Sequence, residues 1–253
     1  MSSEPATQQR AALRPDLRIP AHIGVIMDGN GRWAKARGKP RTEGHVAGVR
    51  ALRGIVESCI NYGVGYLTVF SFSSENWTRP KDEISFIFQL LRRFVASDLE
   101  KLHRNNVRVK IIGSRDGLED SLRRLIAEVE ATTAVNTGLK LQVAFNYGGK
   151  AEIAEAVRRI ASQVAAGRLK PEDITEETIG RALSTAGMPD PDLIIRTSGE
   201  QRFSNFLLWQ SAYAELVFVE ENWPDFDAAS FLRVLEDYSS RDRRYGGVEA
   251  QQR

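Results

Sequence analysis

Asp28 stands at the junction of two very different stretches of chain. Before it runs the mostly apolar Ile23-Gly24-Val25-Ile26-Met27, and after it come Gly29-Asn30-Gly31-Arg32-Trp33. Glycines directly after a strand-like run let backbone N–H groups approach a ligand closely. Arg32, Lys35, Arg37, Lys39 and Arg41 then follow with no acid among them. A carboxylate, close-approach glycines and clustered cations are the parts needed to hold a phosphorylated ligand. The same residues also suit a turn aspartate beside a solvated basic face. An EF-hand is excluded, because Arg32 sits where a third oxygen ligand is needed and no Glu follows at the twelfth position. A dinucleotide fingerprint is excluded too, since the third glycine is missing and the loop reads as too basic and too long before its helix.

The elements that must position these groups alternate. Strands are expected at 23–28, 66–72, 107–113, 139–146, 192–197 and 214–219. Helices are expected at about 43–62, 82–105, 117–135, 150–166, 175–186, 204–211 and 227–240. Such alternation specifies a single α/β domain with a central, mostly parallel sheet covered by helices. Sheets of this kind bind ligands beyond the carboxyl ends of their strands. Asp28, Ser73-Ser74-Glu75-Asn76-Trp77 and Arg196-Thr197-Ser198-Gly199-Glu200 each follow a strand, so they are expected to meet at one edge. Glu215 precedes the last strand. The 82–105 helix carries Ile84, Phe86, Ile87, Phe88, Leu90, Leu91, Phe94, Val95, Leu99 and Leu102, more apolar surface than the usual stripe of about 100°. It is either squeezed between the sheet and another helix or subunit, or it forms one wall of an apolar cavity.

The whole chain narrows the choices. Its 253 residues, 42% hydrophobic and 27% charged, suffice for one large core, and no low-complexity linker divides them. A net charge of +2 argues against a nucleic-acid-binding surface and for a small anionic ligand. The single cysteine, Cys59, excludes an intramolecular disulfide and reads as a small core residue. His22 reads as a satisfied strand histidine, and His103 as a structural residue near a helix C-terminus. No apolar run approaches the roughly 20 residues of a membrane span, and a soluble, cytoplasmic protein is expected. Residues 1–18 read as a flexible N-terminal segment and 248–253 as a flexible tail, leaving 19–247 as the folded domain.

From about Pro20 to Gly247 the chain resembles the cis-prenyltransferases, and within them the bacterial undecaprenyl diphosphate synthases. The resemblance rests on the segments His22 to Ala34, Phe72 to Pro80, Asn146-Tyr147-Gly148-Gly149, Ile195 to Glu200, Ser204 to Gln210 and Trp223-Pro224-Asp225-Phe226-Asp227, in that order. It implies repeated condensation of isopentenyl diphosphate onto an allylic diphosphate such as farnesyl diphosphate, with cis double bonds, dependent on Mg2+. It further implies a homodimer and an apolar tunnel for the growing chain. The product would be a polyprenyl diphosphate that serves as precursor of the cell-wall lipid carrier. Membrane contact would be limited to transient association at the inner face for product release.

The resemblance also assigns residues. Asp28 is implied as catalytic and metal-binding, with Glu215 as a second metal-associated carboxylate. Gly29, Asn30, Gly31, Arg32 and Trp33, with Arg41 and His45 beside them, are implied to hold the allylic diphosphate. Arg196, Arg202, Phe203 and Ser204 match the isopentenyl diphosphate positions. Ser73, Ser74, Glu75, Trp77 and Arg79 form the substrate-contacting loop, with Trp77 as a loop anchor or apolar wall. Asn76 matches a residue tied to proton removal, although an amide is a poor base and suits orientation or relay better. Arg244 and Gly246 match an element that reaches a partner subunit's isopentenyl site, whereas the basic tail of Arg241, Arg243 and Arg244 could also be plain solvent-exposed charge. Product length is implied to depend on side chains near Ser71, Leu139 and Phe145, with about ten or eleven isoprene units preferred for a tunnel that buries the chain. The alternatives are a short-chain cis-prenyl diphosphate synthase or a non-catalytic partner subunit of the same fold. The all-helical trans-prenyltransferases are excluded by the strands and by the absence of an Asp-Asp-x-x-Asp motif.

Overall fold

The structure, a computed structural model, describes residues 16–241. Apolar runs rich in β-branched and aromatic residues become strands: β1 (His22–Ile26), β2 (Tyr66–Ser73), β3 (Arg108–Ile112), β4 (Lys140–Tyr147), β5 (Leu193–Arg196) and β6 (Glu215–Phe218). All five neighbouring pairs are parallel, in the order β3-β4-β2-β1-β5-β6. The helices are α1 (Asn30–Ala36), α2 (Arg41–Tyr62), α3 (Lys81–Arg104), α4 (Asp120–Thr133), α5 (Gly149–Ala165), α6 (Glu176–Ala182) and α7 (Ala228–Ser240). The chain passes from one side of β1 to the other between β4 and β5. The carboxyl ends of β1 and β5 therefore border a topological switch point, the usual place for a ligand in such a sheet.

One face of the sheet carries the larger core, where Ile55 and Val56 of α2, Phe88 and Val95 of α3, Leu122 and Ile126 of α4, and Phe231 and Leu235 of α7 pack over Val25, Leu67, Val69 and Val143. Cys59 belongs to this core and is fully buried. The other face holds a smaller cluster of Ile26, Phe70, Tyr147 and Ile194 under Phe206 and Leu207. His22 is buried in β1, with Nε2 at 2.8 Å from Thr68 Oγ1 and Nδ1 at 2.7 Å from the Pro189 carbonyl, so it is a satisfied strand histidine. His103 lies exposed in the last turn of α3. Arg18 donates from its backbone N–H to Ser239 Oγ at the end of α7.

β2 is irregular where it matters. Phe70 pairs with Ala144 and Phe72 with Phe145, so Ser71 is an extra residue in the strand. Such a bulge re-aims side chains. Phe70 faces the smaller cluster, Phe72 joins Val69 in the larger core, and Ser71 is left exposed at the end of the sheet where β1 delivers Asp28.

Two expectations are corrected. The glycine segment is no long loop: α1 begins at Asn30, directly after Gly29. The segment 204–211 is not a helix but a series of turns, with φ of 48° at Ser204, 64° at Asn205 and 43° at Leu207. Its polar groups are bonded elsewhere, with the Asn205 carbonyl accepting from Gly149 N and the Asn205 side chain from Lys150 N, so a helical ladder cannot form there.

Candidate active site

The backbone at Asp28 is fixed from two sides. Asp28 N donates to Thr197 Oγ1 at 2.9 Å, and the Asp28 carbonyl accepts from Thr197 Oγ1 at 2.7 Å and from Trp223 N at 2.9 Å. Gly29 follows with φ 101°, and a Cβ there would stand 2.4 Å from Asn222 Oδ1. Any side chain there is strained by the positive φ and forces Asn222 and Ser198 to move. The turn aims the Asp28 carboxylate at cations: Oδ2 accepts from Arg196 Nη2 at 2.9 Å and lies 3.2 Å from Arg32 Nη2, while Oδ1 accepts from Gly29 N at 2.7 Å. Burial pushes this carboxyl up, but the hydrogen bond and charge of Arg196, the charge of Arg32 and the Gly29 N–H together hold it below the ordinary aspartate value. Asp28 is thus an anion throughout the neutral range.

Arg196 is the hinge of the arrangement, its side chain only 4% exposed. Besides Asp28 it donates from Nη1 to Ser204 Oγ at 2.7 Å and to the Arg202 carbonyl, while its Nε is buried without a partner. Glu200 binds both Arg32, at 3.0 Å, and Arg202, linking the α1 side of the site to the turn after β5. At the start of α1 the first intrahelical bond runs from Trp33 N to Gly29 O. The N–H groups of Asn30, Gly31 and Arg32 therefore precede the helical ladder.

A second cluster gathers on Glu83, which the sequence reading did not single out. Its Oε1 accepts from Arg79 Nη1 at 2.9 Å and Arg41 Nη2 at 3.4 Å and lies 3.2 Å from His45 Nε2. The Arg79-x-x-x-Glu83 spacing at the start of α3 was the available signal, but α2 brings the other two partners. Burial pulls His45 below its ordinary value, outweighing its hydrogen bond to Glu83, so it is a neutral group near pH 7. Burial pushes Glu83 up, but His45, Arg79 and Arg41 outweigh this and keep it ionised.

The single-turn segment Ser74–Thr78 completes the rim. Ser73 N donates to Asn76 Oδ1 at 3.1 Å, and Glu75 N donates to Ser73 Oγ at 3.1 Å. With its oxygen committed, Asn76 meets the cavity as an N–H donor rather than a base. Trp77 donates from Nε1 to Asn146 Oδ1 at 2.8 Å and meets Phe72 and Phe88 edge-on, so it anchors the segment.

These groups surround a cavity of about 510 Å³. Asp28, Gly29, Asn30, Gly31, Arg32, Arg41, His45, Ser73, Asn76, Arg79, Arg196, Arg202 and Ser204 all line it, together with Ser71. Its apolar part is formed by Leu52 of α2, Val69 and Val143 of the sheet, and Ile87, Leu90, Leu91 and Phe94 of α3. The long helix packs Ile84, Phe88 and Val95 into the core, while its Ile87, Leu90, Leu91 and Phe94 line the cavity.

Other expected residues lie elsewhere. Trp33 donates from Nε1 to Asp225 Oδ1 at 2.7 Å and stacks under Arg37, away from the cavity. Ser74, Glu75 and Trp77 support the rim without lining it, and Phe203 packs against the smaller core cluster. Of the three length-related positions only Ser71 faces the cavity. Leu139 precedes β4 at the opposite end of the sheet, and Phe145 is fully buried between Phe72 and Phe88. Glu215 is the largest departure. It lies level with Leu193 and Ile23 at the amino end of the sheet, about 16 Å from Asp28 along the strand direction at ~3.3 Å per residue. Arg241 holds it at 3.0 Å, so that basic residue is paired rather than plain solvent-exposed charge. Because the strands are parallel, a residue entering β6 cannot reach a residue leaving β1 within one chain. Arg243, Arg244 and Gly246 lie outside the described residues, as do residues 1–15 and 248–253 of the expected terminal segments, whereas Arg18 is held against the end of α7.

The donor set bears on a divalent cation. Among the described residues no three acidic, His or Cys side chains gather as a metal site. Asp28 offers one ionised carboxylate, 30% exposed at the cavity wall, ringed by arginines. That fits a hard cation that arrives with phosphate oxygens and takes one carboxylate from the protein, rather than one held by a protein cage.

Comparison with known proteins agrees with this architecture. A family model described as putative undecaprenyl diphosphate synthase matches residues 26–246. The isoprenyl transferase of Rhizobium meliloti (strain 1021) is 55% identical over 91% of this chain and 93% of its own length. That of Brucella abortus biovar 1 (strain 9-941) is 58% identical over 91% of each. Lavandulyl diphosphate synthase from Lavandula x intermedia, solved in complex with dimethylallyl diphosphate, superposes with a TM-score of 0.87 at 36% identity over 90% of this chain and 98% of its own. A probable undecaprenyl diphosphate synthase from Campylobacter jejuni gives 0.76 at 36% identity over 91% and 100%.

Proposed function

This chain belongs to the undecaprenyl diphosphate synthase family of isoprenyl transferases and is a cis-prenyltransferase, and from that premise we propose that it condenses isopentenyl diphosphate repeatedly onto farnesyl diphosphate or a similar allylic diphosphate. The product in this reading is a long-chain polyprenyl diphosphate, about C50–C55, whose chain fills an apolar tunnel. Its use would be as the precursor of a cell-wall lipid carrier. One observation carries the reading: a single cavity is lined both by arginines with an ionised aspartate and by a group of apolar side chains from α2, α3 and the sheet.

The α1 N–H groups with Arg41, Arg79 and His45 hold the allylic diphosphate, and Arg196, Arg202 and Ser204 hold isopentenyl diphosphate. Two diphosphates side by side repel strongly, so separate arginine clamps are needed to keep both reactants in attack geometry. Asp28, between the clamps, would hold magnesium, which when bound neutralises diphosphate charge and assists its departure. Asn76 donates its N–H2 to a substrate oxygen. The proton lost after condensation then passes to a diphosphate oxygen rather than to the amide. The small Ser71 at the bulge keeps the cavity open, and Phe145, buried elsewhere, does not obstruct a long product. No helix among the described residues is long and apolar enough to cross a membrane. Product would leave by transient contact with a membrane surface, and the active form would be a homodimer.

Incubation with labelled isopentenyl diphosphate, magnesium and allylic primers of increasing length tests the reading. A ladder ending near ten or eleven units with farnesyl diphosphate is expected. Products of one or two additions would favour the short-chain alternative, and no incorporation would refute the assignment.

A further inference from the structure

Asn205 has no role in the scheme above, yet it touches three parts of the site at once. Its Oδ1 accepts from Lys150 N at 2.8 Å and its carbonyl from Gly149 N at 2.7 Å, which closes the first turn of α5. Its Nδ2 donates to Glu75 Oε1 at 2.7 Å. The other oxygen of Glu75 accepts from Ser73 Oγ at 2.7 Å, and Ser73 N holds Asn76 Oδ1. On the opposite side the neighbouring Ser204 accepts from Arg196. The approach is tight: a Cβ at Gly148 would meet Ser74 Oγ at 2.4 Å and Asn205 Nδ2 at 2.7 Å. One amide, with its backbone in a left-handed turn and braced on a helix end, therefore joins the segment that carries Asn76 to the turn that receives Arg196.

We propose that Asn205 is a positioning residue that sets the Asn76 amide and the Arg196 guanidinium at a fixed separation, so that the two substrates they touch meet in attack geometry. This rests on the condensation reading above. A misplacement of about 1 Å costs on the order of a hundredfold in rate, which is the scale at which such a brace matters. A residue that merely capped α5 would affect stability and leave the chemistry alone.

Asn205→Asp separates the two roles. It keeps an oxygen for Lys150 N at the start of α5, where a carboxylate is favourable, and replaces the donor facing Glu75 by a second anion. Thermal stability and binding of the allylic diphosphate to the glycine segment should persist, while kcat falls by about ten- to a hundredfold. Glu75→Ala, at an exposed position away from α5, should lower kcat to the same extent. Adding Glu75→Gln to Asn205→Asp returns an N–H2 donor from the other side and should recover at least about tenfold. A wild-type kcat in Glu75→Ala or Asn205→Asp overturns the proposal, as does a double variant that stays folded and binds the allylic ligand but is no faster than Asn205→Asp. Failure of the unmodified chain to condense any primer is a different result, and it would overturn the functional reading and this proposal with it.

Discussion

Removing Asp28 should weaken the protein and yet improve its grip on a free diphosphate. Asp28 is a counter-ion of an Arg196 side chain that is 4% exposed and already has one buried N–H without a partner. Breaking a buried ion pair from one side costs about 3–5 kcal/mol. Here Asp28 is itself 30% exposed and Arg196 keeps Ser204 and the Arg202 carbonyl, so about 2 kcal/mol is the expected loss in Asp28→Ala. For a chain of this size that lowers Tm by about 4–8 °C. Inorganic pyrophosphate without metal then meets different sites in the two proteins. In the wild type it must compete with Asp28 for Arg196 and Arg32, whereas in the variant both guanidinium groups lack that partner. Differential scanning fluorimetry against pyrophosphate concentration should show a larger rise in Tm for Asp28→Ala than for the wild type, while condensation with magnesium is abolished. An Asp28→Ala protein that melts like the wild type, or gains no more from pyrophosphate, would refute the view that Asp28 and diphosphate share these arginines. Full activity would refute its place in the reaction.

Gly29→Ala forces a Cβ to 2.4 Å from Asn222 Oδ1 at φ 101°; a loss of about 1–3 kcal/mol in urea unfolding is expected, together with loss of turnover. The pH dependence of stability should separate Asp28 from His45. The depressed Asp28 carboxyl contributes stability that is fully present above the ordinary value of 3.8 and is lost only as pH falls through its lower folded value. Wild type and Asp28→Asn should therefore differ by a constant amount between pH 5 and 8 in urea unfolding. His45 is held neutral, so below the ordinary value of 6.5 the unfolded chain takes up the proton first and stability falls with falling pH. His45→Gln should flatten that slope, and an unchanged slope would show that other groups cause it. Phe94 borders both the main cavity and a small hollow beyond it that Val56 and Leu102 also line. Phe94→Ala should join the two and lengthen the product, and an unaltered ladder would exclude Phe94 as the inner limit.

Much of this protein was legible in its sequence because the signals were local. Uninterrupted apolar runs separated by helical periodicity specify a parallel sheet whichever side chains meet, and parallel strands send Asp28, Ser73 and Thr197 to the same edge. The surplus apolar surface of α3 likewise announced that more than one narrow stripe of it must be covered. Other features depended on contacts that no spacing records. Glu83 gathers partners from α2 and from the segment before α3 only because those elements cross. The 204–211 segment reads as helical, but its polar groups bond to the start of α5, so it folds as turns and gives Asn205 its reach. Glu215 could be matched to a role by its neighbours in sequence, yet strand direction carries it to the far end of the sheet. Ser71 lines the cavity while Leu139 and Phe145 do not, and it does so because a bulge in β2 makes it an extra residue at the end of the strand. Residue types and their order determined the kind of ligand and the sheet that meets it. The crossing of helices, the strand direction and one extra residue in β2 decided which side chains touch it.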